Sequence, residues 1–275
     1  IKIVHQIEEL EHLIKAAKIE SKKLFNDDTI YIEKFINNPK HLEIQILADQ
    51  YGNVITLGER DCSIQRNHQK LIEESPSTVL NENQRSEISE ICKKAIKSVN
   101  YLGVGTLEFL YENNNFYFME MNTRLQVEHT ITEMVTGIDL VKQQLSVANG
   151  EEIKFNQEDI KIIGHAIECR INAEHPDTFM PSPGTISQYH QPGGPGVRVD
   201  SALYQGYFIP PHYDSMIAKL ITYGNSRYES LQKMKRALEE YIIMGIHTNL
   251  QLHQTIIETK EFTSGNYNIN SISQF

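Results

Sequence analysis

Polar residues fall on every second position from Glu120 to Glu128: Glu120, Asn122, Arg124, Gln126 and Glu128. Met121, Thr123, Leu125 and Val127 separate them. In an extended chain, alternate side chains share a face. That face would carry two carboxylates, a guanidinium and two amides. Carboxylates with an amide oxygen are hard ligands suited to Mg²⁺ or Mn²⁺. A guanidinium can meet a small planar anion through two parallel hydrogen bonds. A carboxylate within about 3 Å of an acidic proton can take it as a general base.

The segment before the stripe supplies a partner. "GTLEFLYE" (Gly105–Glu112) and "FYFMEMN" (Phe116–Asn122) flank a run of asparagines, so a hairpin is expected. With Asn113–Asn115 as its loop, position 112 faces 116, 110 faces 118, and Glu108 faces Glu120. Cross-strand neighbours lie about 4.5–5.5 Å apart, and like charges there repel. The pair needs a shared proton or a cation. Asn122 adds an oxygen on the same face, so Glu108, Glu120 and Asn122 are candidate metal ligands. The plain alternative is a solvent-exposed face on which paired glutamates are tolerated. Phe116, Phe118 and Leu110 would share the face, and carboxylates among aromatic groups favour a functional pair.

A second cluster is "GERDCSIQRNHQKLIEE" (Gly58–Glu74), with Arg60, Arg66, His68 and Lys70 close together. Composition alone favours a solvated charge run, and the sharper alternative is an anion site.

These groups need a framework. The chain has 275 residues, 40% hydrophobic and 23% charged, enough for one large domain or two modest ones. Its net charge of -10 disfavours nucleic acid as a partner. No apolar run approaches the ~18 residues of a membrane span, and no signal peptide is read at the start. Cys62, Cys92 and Cys169 are far apart and form no CxxC pair. They read as small buried hydrophobes in a reducing, cytoplasmic setting.

Gln6–Phe25 reads as an amphipathic helix and "TIYIEKFI" (Thr29–Ile36) as a strand. "HLEIQILAD" and "VITLGERD" make a hairpin across "DQYGN". Asn81 caps a helix running to about Val99, and helical pieces follow near Thr132–Val135 and Asp139–Ala148. Beyond Lys161 come antiparallel strands broken by "PSPG" and "QPGGPG", then helices near Arg227–Tyr241 and Thr248–Thr259. "QPGGPG" reads as a hairpin turn, since it lacks a following helix and phosphate-loop spacing. His165, His175 and His212 show no ligand spacing and read as structural. A domain boundary falls near Asp159–Ile163, dividing 1–160 from 161–275.

Several long motifs point to one family: "IEKFINNPKHLEIQILAD", "GERDCSIQRNHQKLIEESPS", "GTLEFLYENNNFYFMEMNTRLQVEH", "GHAIECRINAE" and "PPHYDSMIAKLI". From Ile1 to about Ile269 the chain closely resembles the biotin carboxylase component of biotin-dependent carboxylases. The resemblance implies an α+β fold. Residues 1–160 would be a partial ATP-grasp domain, without its amino-terminal domain and glycine lid, and 161–275 the biotin carboxylase carboxyl-terminal domain.

It also implies ligands and roles. Glu33, Lys34 and Ile36 would line an adenine pocket, with His41, His68 and Ile269 near the nucleotide. Glu108, Glu120 and Asn122 would hold Mg²⁺ or Mn²⁺ against ATP. Lys70, Arg124 and the Val127 backbone would cradle bicarbonate, with Gln126 positioning it and Glu128 deprotonating it. Arg170 would stabilise the biotin enolate. Implied partners are a biotin carboxyl carrier protein, carboxyltransferase subunits and a second copy of the chain. Acetyl-CoA carboxylase is the first expectation for the whole system, with pyruvate or propionyl-CoA carboxylation next. A noncatalytic remnant of the fold is the alternative from another class. No glycine precedes Gly52, so the lid is expected to be absent and these residues alone inactive in ATP cleavage. Two departures stand out. Thr130 replaces a proline, which predicts a looser following turn, and Pro195 stands where an aromatic is usual near the dimer contact, beside a matching Arg198.

Overall fold

Long strands of alternating polar and apolar residues form the frame. A computed structural model describes residues 2–272; Ile1, where the resemblance begins, lies outside them. The chain divides into two units, Ile1–Asn37 and Asn38–Phe275.

In the first unit a 3₁₀ turn, Ile7–Glu9, leads into α1 (Leu10–Phe25). Asn26 ends the helix in the left-handed conformation, its N–H on the Lys22 carbonyl. The expected strand over Thr29–Ile36 does not form. Its composition suits a strand, but a strand exists only when another extended segment hydrogen-bonds to it, and residues 2–37 contain none.

The second unit is built on an eight-stranded sheet. Its strands are β1 (Lys40–Ala48), β2 (Val54–Arg66), β3 (Gln69–Ser75), β4 (Gly103–Glu112), β5 (Asn115–Asn122), β6 (His165–Asn172), β9 (Val197–Ser201) and β11 (Met216–Gly224). The order is β5-β4-β1-β2-β3-β6-β11-β9, antiparallel throughout. Two small sheets pair β7 (Gly184–Thr185) with β10 (Phe208–Ile209), and β8 (Gln188–His190) with β12 (Ile242–Met244).

Helices cover both faces. On one side, Ile44, Ile46, Leu107 and Phe109 meet Ile88, Cys92 and Ile96 of α2 (Glu82–Ser98). Further along, Ile167, Cys169 and Leu220 meet Leu231 and Met234 of α5 (Arg227–Glu240), with α6 (Leu250–Glu258) and α7 (Lys260–Ser264) beyond. On the other side, Ile131 and Val135 of α3 (His129–Thr136) pack on Ala166 and Ile221. There Leu140 and Val147 of α4 (Leu140–Ala148) pack on Leu47 and Leu57. Asn81 and Asp139 cap α2 and α4 through their side chains, as their types predict.

Because both faces are covered, every residue of β1 is buried, including His41, Glu43 and Gln45. Alternation here separates an apolar core from a buried polar one, not core from solvent. Cys62, Cys92 and Cys169 are buried free thiols. Among the described residues no helix is long and apolar enough to cross a membrane.

Two local expectations are corrected. The β4–β5 turn is Asn113-Asn114 alone, both at positive φ (52° and 62°), so Glu112 pairs Asn115 and Phe109 pairs Phe118. Asparagine tolerates this conformation, which suits a two-residue hairpin turn. A bulge next to Phe109 then shifts the register and restores Glu108 opposite Glu120. In consequence the aromatics leave the carboxylate face, and Phe116 and Phe118 pack edge-on against Phe109. Likewise "QPGGPG" closes no hairpin: β8 before it pairs β12, and β9 after it pairs β11.

Candidate active site

The registers align the polar groups in ranks across the sheet. Arg60 of β2, Glu43 of β1, Glu108 of β4 and Glu120 of β5 are successive cross-strand partners. The next rank holds Gln45, Thr106 and Asn122. Farther across, Glu73 of β3 faces Glu168 of β6, and Lys219 of β11 faces Arg170 of β6. The face beneath α3 is therefore a continuous ionic surface.

Arg60 is its fully buried centre. It donates to Glu43 at 3.1 and 3.2 Å, to Gln45 at 2.6 Å, to Gln126 at 3.0 Å, to Thr106 at 3.1 Å and to Thr132 at 3.0 Å. Lys70 bridges three carboxylates: Glu43, Glu128 at 2.7 Å and Glu108 at 3.3 Å. Burial works against its charge, but Glu43, with Glu128 and Glu108, holds it protonated well above the usual lysine range. The groups His41, Glu43, Glu108 and Glu43, Cys62, Glu128 are close enough to chelate an ion. The Lys70 ammonium already sits in both, against Glu43, Glu108 and Glu128.

Glu108 is the meeting point of the metal and anion groups. It accepts from Gln126 at 2.6 Å and Asn122 at 2.8 Å, and lies 2.7 Å from His41 Nε2. Burial pushes its carboxyl up, but the His41 hydrogen bond and the Lys70 charge outweigh it and hold it at about 2. Asn122 also donates to Glu120 at 3.2 Å, so the three candidate ligands form one linked set. Two carboxylates and an amide that can turn its oxygen outward fit a hard dication with open positions.

Glu128 arrives by a different route from the one its spacing predicts. The β5 ladder ends at Asn122, where its pairing with Thr106 stops, and the chain turns through Gln126 into α3. Glu128 is the N-cap residue of α3 and 1% exposed. Its oxygens accept from Lys70 and, at 2.9 Å, from Arg170 Nη2. Arg170 Nε donates to Glu73 at 2.6 Å. The turn after Glu128 is not loosened by Thr130. That hydroxyl is buried, donates to Glu168 and accepts from Lys219 at 3.3 Å.

The structure thus brings together Lys70, Glu108, Glu120, Asn122, Gln126, Glu128, Arg170 and His41. The Val127 carbonyl accepts from Lys219 at 2.7 Å beside them. Arg124 is exposed, and its guanidinium reaches the Leu125 carbonyl at 3.4 Å, outside this network. His68 sits exposed on the β2–β3 turn, and Ile269 bonds the Pro39 carbonyl at the start of β1. Glu33, Lys34 and Ile36 belong to the other unit. Glu43 and Gln45 are not among the expected site residues, and Arg60 stands among the expectations only within a charge run. The available signal was Glu43 and Gln45 on the polar side of "HLEIQILAD".

Comparison with known proteins gives the family. The profile described as carbamoyl-phosphate synthase L chain, ATP binding domain, matches residues 1–156, and the biotin carboxylase C-terminal domain matches 168–274. This chain belongs to the biotin carboxylase family. It is 53% identical over 274 residues to a biotin carboxylase of Allochromatium vinosum, spanning 100% of this chain and 61% of the relative. A pyruvate carboxylase subunit from Methanothermobacter thermautotrophicus is 50% identical over 276 residues, 100% of this chain and 56% of that one. Among solved structures, the biotin carboxylase domain dimer of Hydrogenobacter thermophilus 2-oxoglutarate carboxylase, in complex with MgADP, ADP and bicarbonate, superposes with a TM-score of 0.91. It is 47% identical, covering 97% of this chain and 59% of that one. The fold is that of a biotin carboxylase, a partial ATP-grasp domain followed by the carboxyl-terminal domain. The chain spans about three-fifths of the length of these relatives.

Proposed function

We propose that this chain carries the bicarbonate- and biotin-handling part of an ATP-dependent biotin carboxylase. The observation that supports it most is Glu128, buried between Lys70 and Arg170. A small anion entering there would exchange places with carboxylate contacts of Lys70. Glu128 then takes the proton of bicarbonate, and the freed oxygen attacks the γ-phosphorus of ATP as the bond to ADP breaks, giving carboxyphosphate. Carboxyl transfer to biotin releases phosphate and the ureido proton, with Arg170 stabilising the developing oxyanion. Gln126 fixes Glu108 and thereby the edge of the anion pocket. A dication held by Glu108, Glu120 and Asn122 would supply charge neutralisation at the ATP phosphates. Arg124, exposed at the rim, is free to swing onto bicarbonate. Glu33, Lys34, Ile36, His41, His68 and Ile269 are assigned to the nucleotide.

The partners in this reading are a biotinylated carrier protein, carboxyltransferase subunits and a second copy of the chain, in the cytoplasm. Acetyl-CoA is our first assignment for the final acceptor, carried over from the sequence resemblance. Pyruvate is the second, from the M. thermautotrophicus relative. The 160/161 division stands as the proposed boundary between an ATP-handling and a carboxyl-terminal part.

Two variants test the assignment, in an enzyme carrying a complete ATP-grasp domain. Glu128→Gln should suppress ATP cleavage and biotin carboxylation together, by ~10²–10⁴ for loss of a general base. Arg170→Gln should impair biotin carboxylation by ~10²–10³ while largely preserving biotin-independent, bicarbonate-dependent ATP cleavage. The measurement is phosphate release with and without free biotin, beside carboxybiotin formation. Equal loss of the biotin-independent reaction in both variants would refute the division of labour.

A further inference from the structure

Behind Arg170 lies a pair of carboxylates to which the mechanism above gives no role. Glu73 of β3 and Glu168 of β6 are direct cross-strand partners on adjacent antiparallel strands, so their side chains rise from the same face. Both are completely buried. Each has one oxygen occupied: Glu73 Oε1 accepts from Arg170 Nε at 2.6 Å, and Glu168 Oε2 accepts from Thr130. The second oxygen of each, Glu73 Oε2 and Glu168 Oε1, is buried with no hydrogen-bond donor.

An ionised carboxylate can only accept, so two ionised groups here would leave both orphan oxygens unsatisfied and two like charges side by side. One proton between them removes both costs, because a protonated carboxyl donates to its neighbour. We propose that Glu73 and Glu168 share a single proton, and that this singly charged pair is the positioning device that holds Arg170 against Glu128. The charged and titratable groups that bear on the pair are Arg170 and Cys169 on β6, Glu128 at the start of α3, Lys219 on β11 and Cys62 on β2. Burial, with the charges of Glu168 and Glu128, moves Glu73 up to about 8 against the pull of Arg170, and Glu168 is also raised.

The functional consequence rests on the reading of Glu128 and Arg170 above. With one proton, the pair carries one negative charge and shares Arg170 with Glu128. When pH rises and the proton leaves, the second charge draws Arg170 back from Glu128. The biotin-dependent step should therefore lose rate on an alkaline limb set by the pair. In Glu168→Gln the amide donates to Glu73 in place of the proton, and no second charge can form.

Infrared spectroscopy of this chain tests the proton directly. A protonated carboxyl band should be present at neutral pH, fade as pH passes about 8, and be absent from Glu73→Gln and Glu168→Gln. Glu59, whose carboxyl is raised by its own burial, supplies the control, since Glu59→Gln should retain the band. The wild-type spectrum is decisive even where a variant fails to fold: no such band at neutral pH overturns the proposal. In the active enzyme, Glu168→Gln should displace the alkaline limb of biotin-dependent phosphate release upward by ~1 unit or more, the size of one nearby charge. An unmoved limb in a folded Glu168→Gln overturns the positioning role. Absence of any bicarbonate-dependent ATP cleavage in the wild-type enzyme carrying a complete ATP-grasp domain would instead overturn the function proposed for the site, and the infrared result would still decide the shared proton.

Discussion

Glu108 is the residue on which most of the site's contacts converge. His41, Lys70, Gln126 and Asn122 all approach its two oxygens. Their combined pull keeps it ionised, so it presents full charge to a cation at any ordinary pH. Glu108→Gln should weaken Mn²⁺ binding by ~1–3 kcal/mol, the range for a buried charged group losing its partner. Glu120→Gln should cost less, because Glu120 is exposed and water can replace it. Titration of free Mn²⁺ by its electron paramagnetic resonance signal checks both. Unchanged affinity in the two variants would remove the metal assignment.

At the scale of elements, the link between β8 and β9 shows how a glycine-rich run serves a sheet edge. Gly196 stands at φ +75°, and its carbonyl accepts from Tyr223 N–H on β11 at 2.8 Å. A Cβ there would come within 2.4 Å of the Tyr223 carbonyl oxygen. The position demands glycine both for its left-handed backbone and for this close approach. Gly196→Ala should destabilise the folded chain by ~1–3 kcal/mol, read as a lowered denaturation midpoint in urea. Because β9 carries Asp200 beside Lys219, the same variant should also loosen the contact of Lys219 with Val127. A midpoint equal to wild type would show that the edge relaxes freely.

For the whole second unit, Glu74 acts as a central tie. From β3 it meets His165 of β6 at 2.7 Å, Arg227 of α5 at 2.7 Å and Tyr267 near the carboxyl terminus. Burial alone would raise its carboxyl, but the His165 hydrogen bond and charge, with Arg227, hold it at about 2 against an ordinary 4.5. A carboxylate depressed on folding stabilises above its unfolded pKa and loses that contribution as pH falls through the folded one. The term is on the order of 3 kcal/mol. It should be complete above about pH 4.5 and vanish toward pH 2. Thermal unfolding followed against pH should show a fall in midpoint over this window. Glu74→Gln should unfold at a lower temperature near neutrality and show a shallower fall in acid. An equally steep fall in the variant would place the acid sensitivity elsewhere.

Much of this protein was legible in its sequence because the signals were local. The cap at Asn81, the helical piece over Asp139–Ala148, the β1–β2 hairpin and the helices α5 and α6 depend on neighbours within a few positions, where propensity and hydrogen bonding act directly. The long motifs likewise carried the family and named the candidate site residues. Three features were decided only by tertiary structure. Thr29–Ile36 has strand composition without a ladder, since pairing is a property of two segments and not of one. The pairing of Glu108 with Glu120 survives through a bulge that no local pattern announces, since turn length and bulge position compensate only along the assembled hairpin. Glu43, Arg60, Glu73 and Glu168 are distributed over four strands, and their ionic surface exists because long-range registers stack them in low dielectric. A single sequence records which residues are charged. Whether those charges face water or each other is settled by the strands that happen to lie beside them, because burial and cross-strand distance set the energy of a charge.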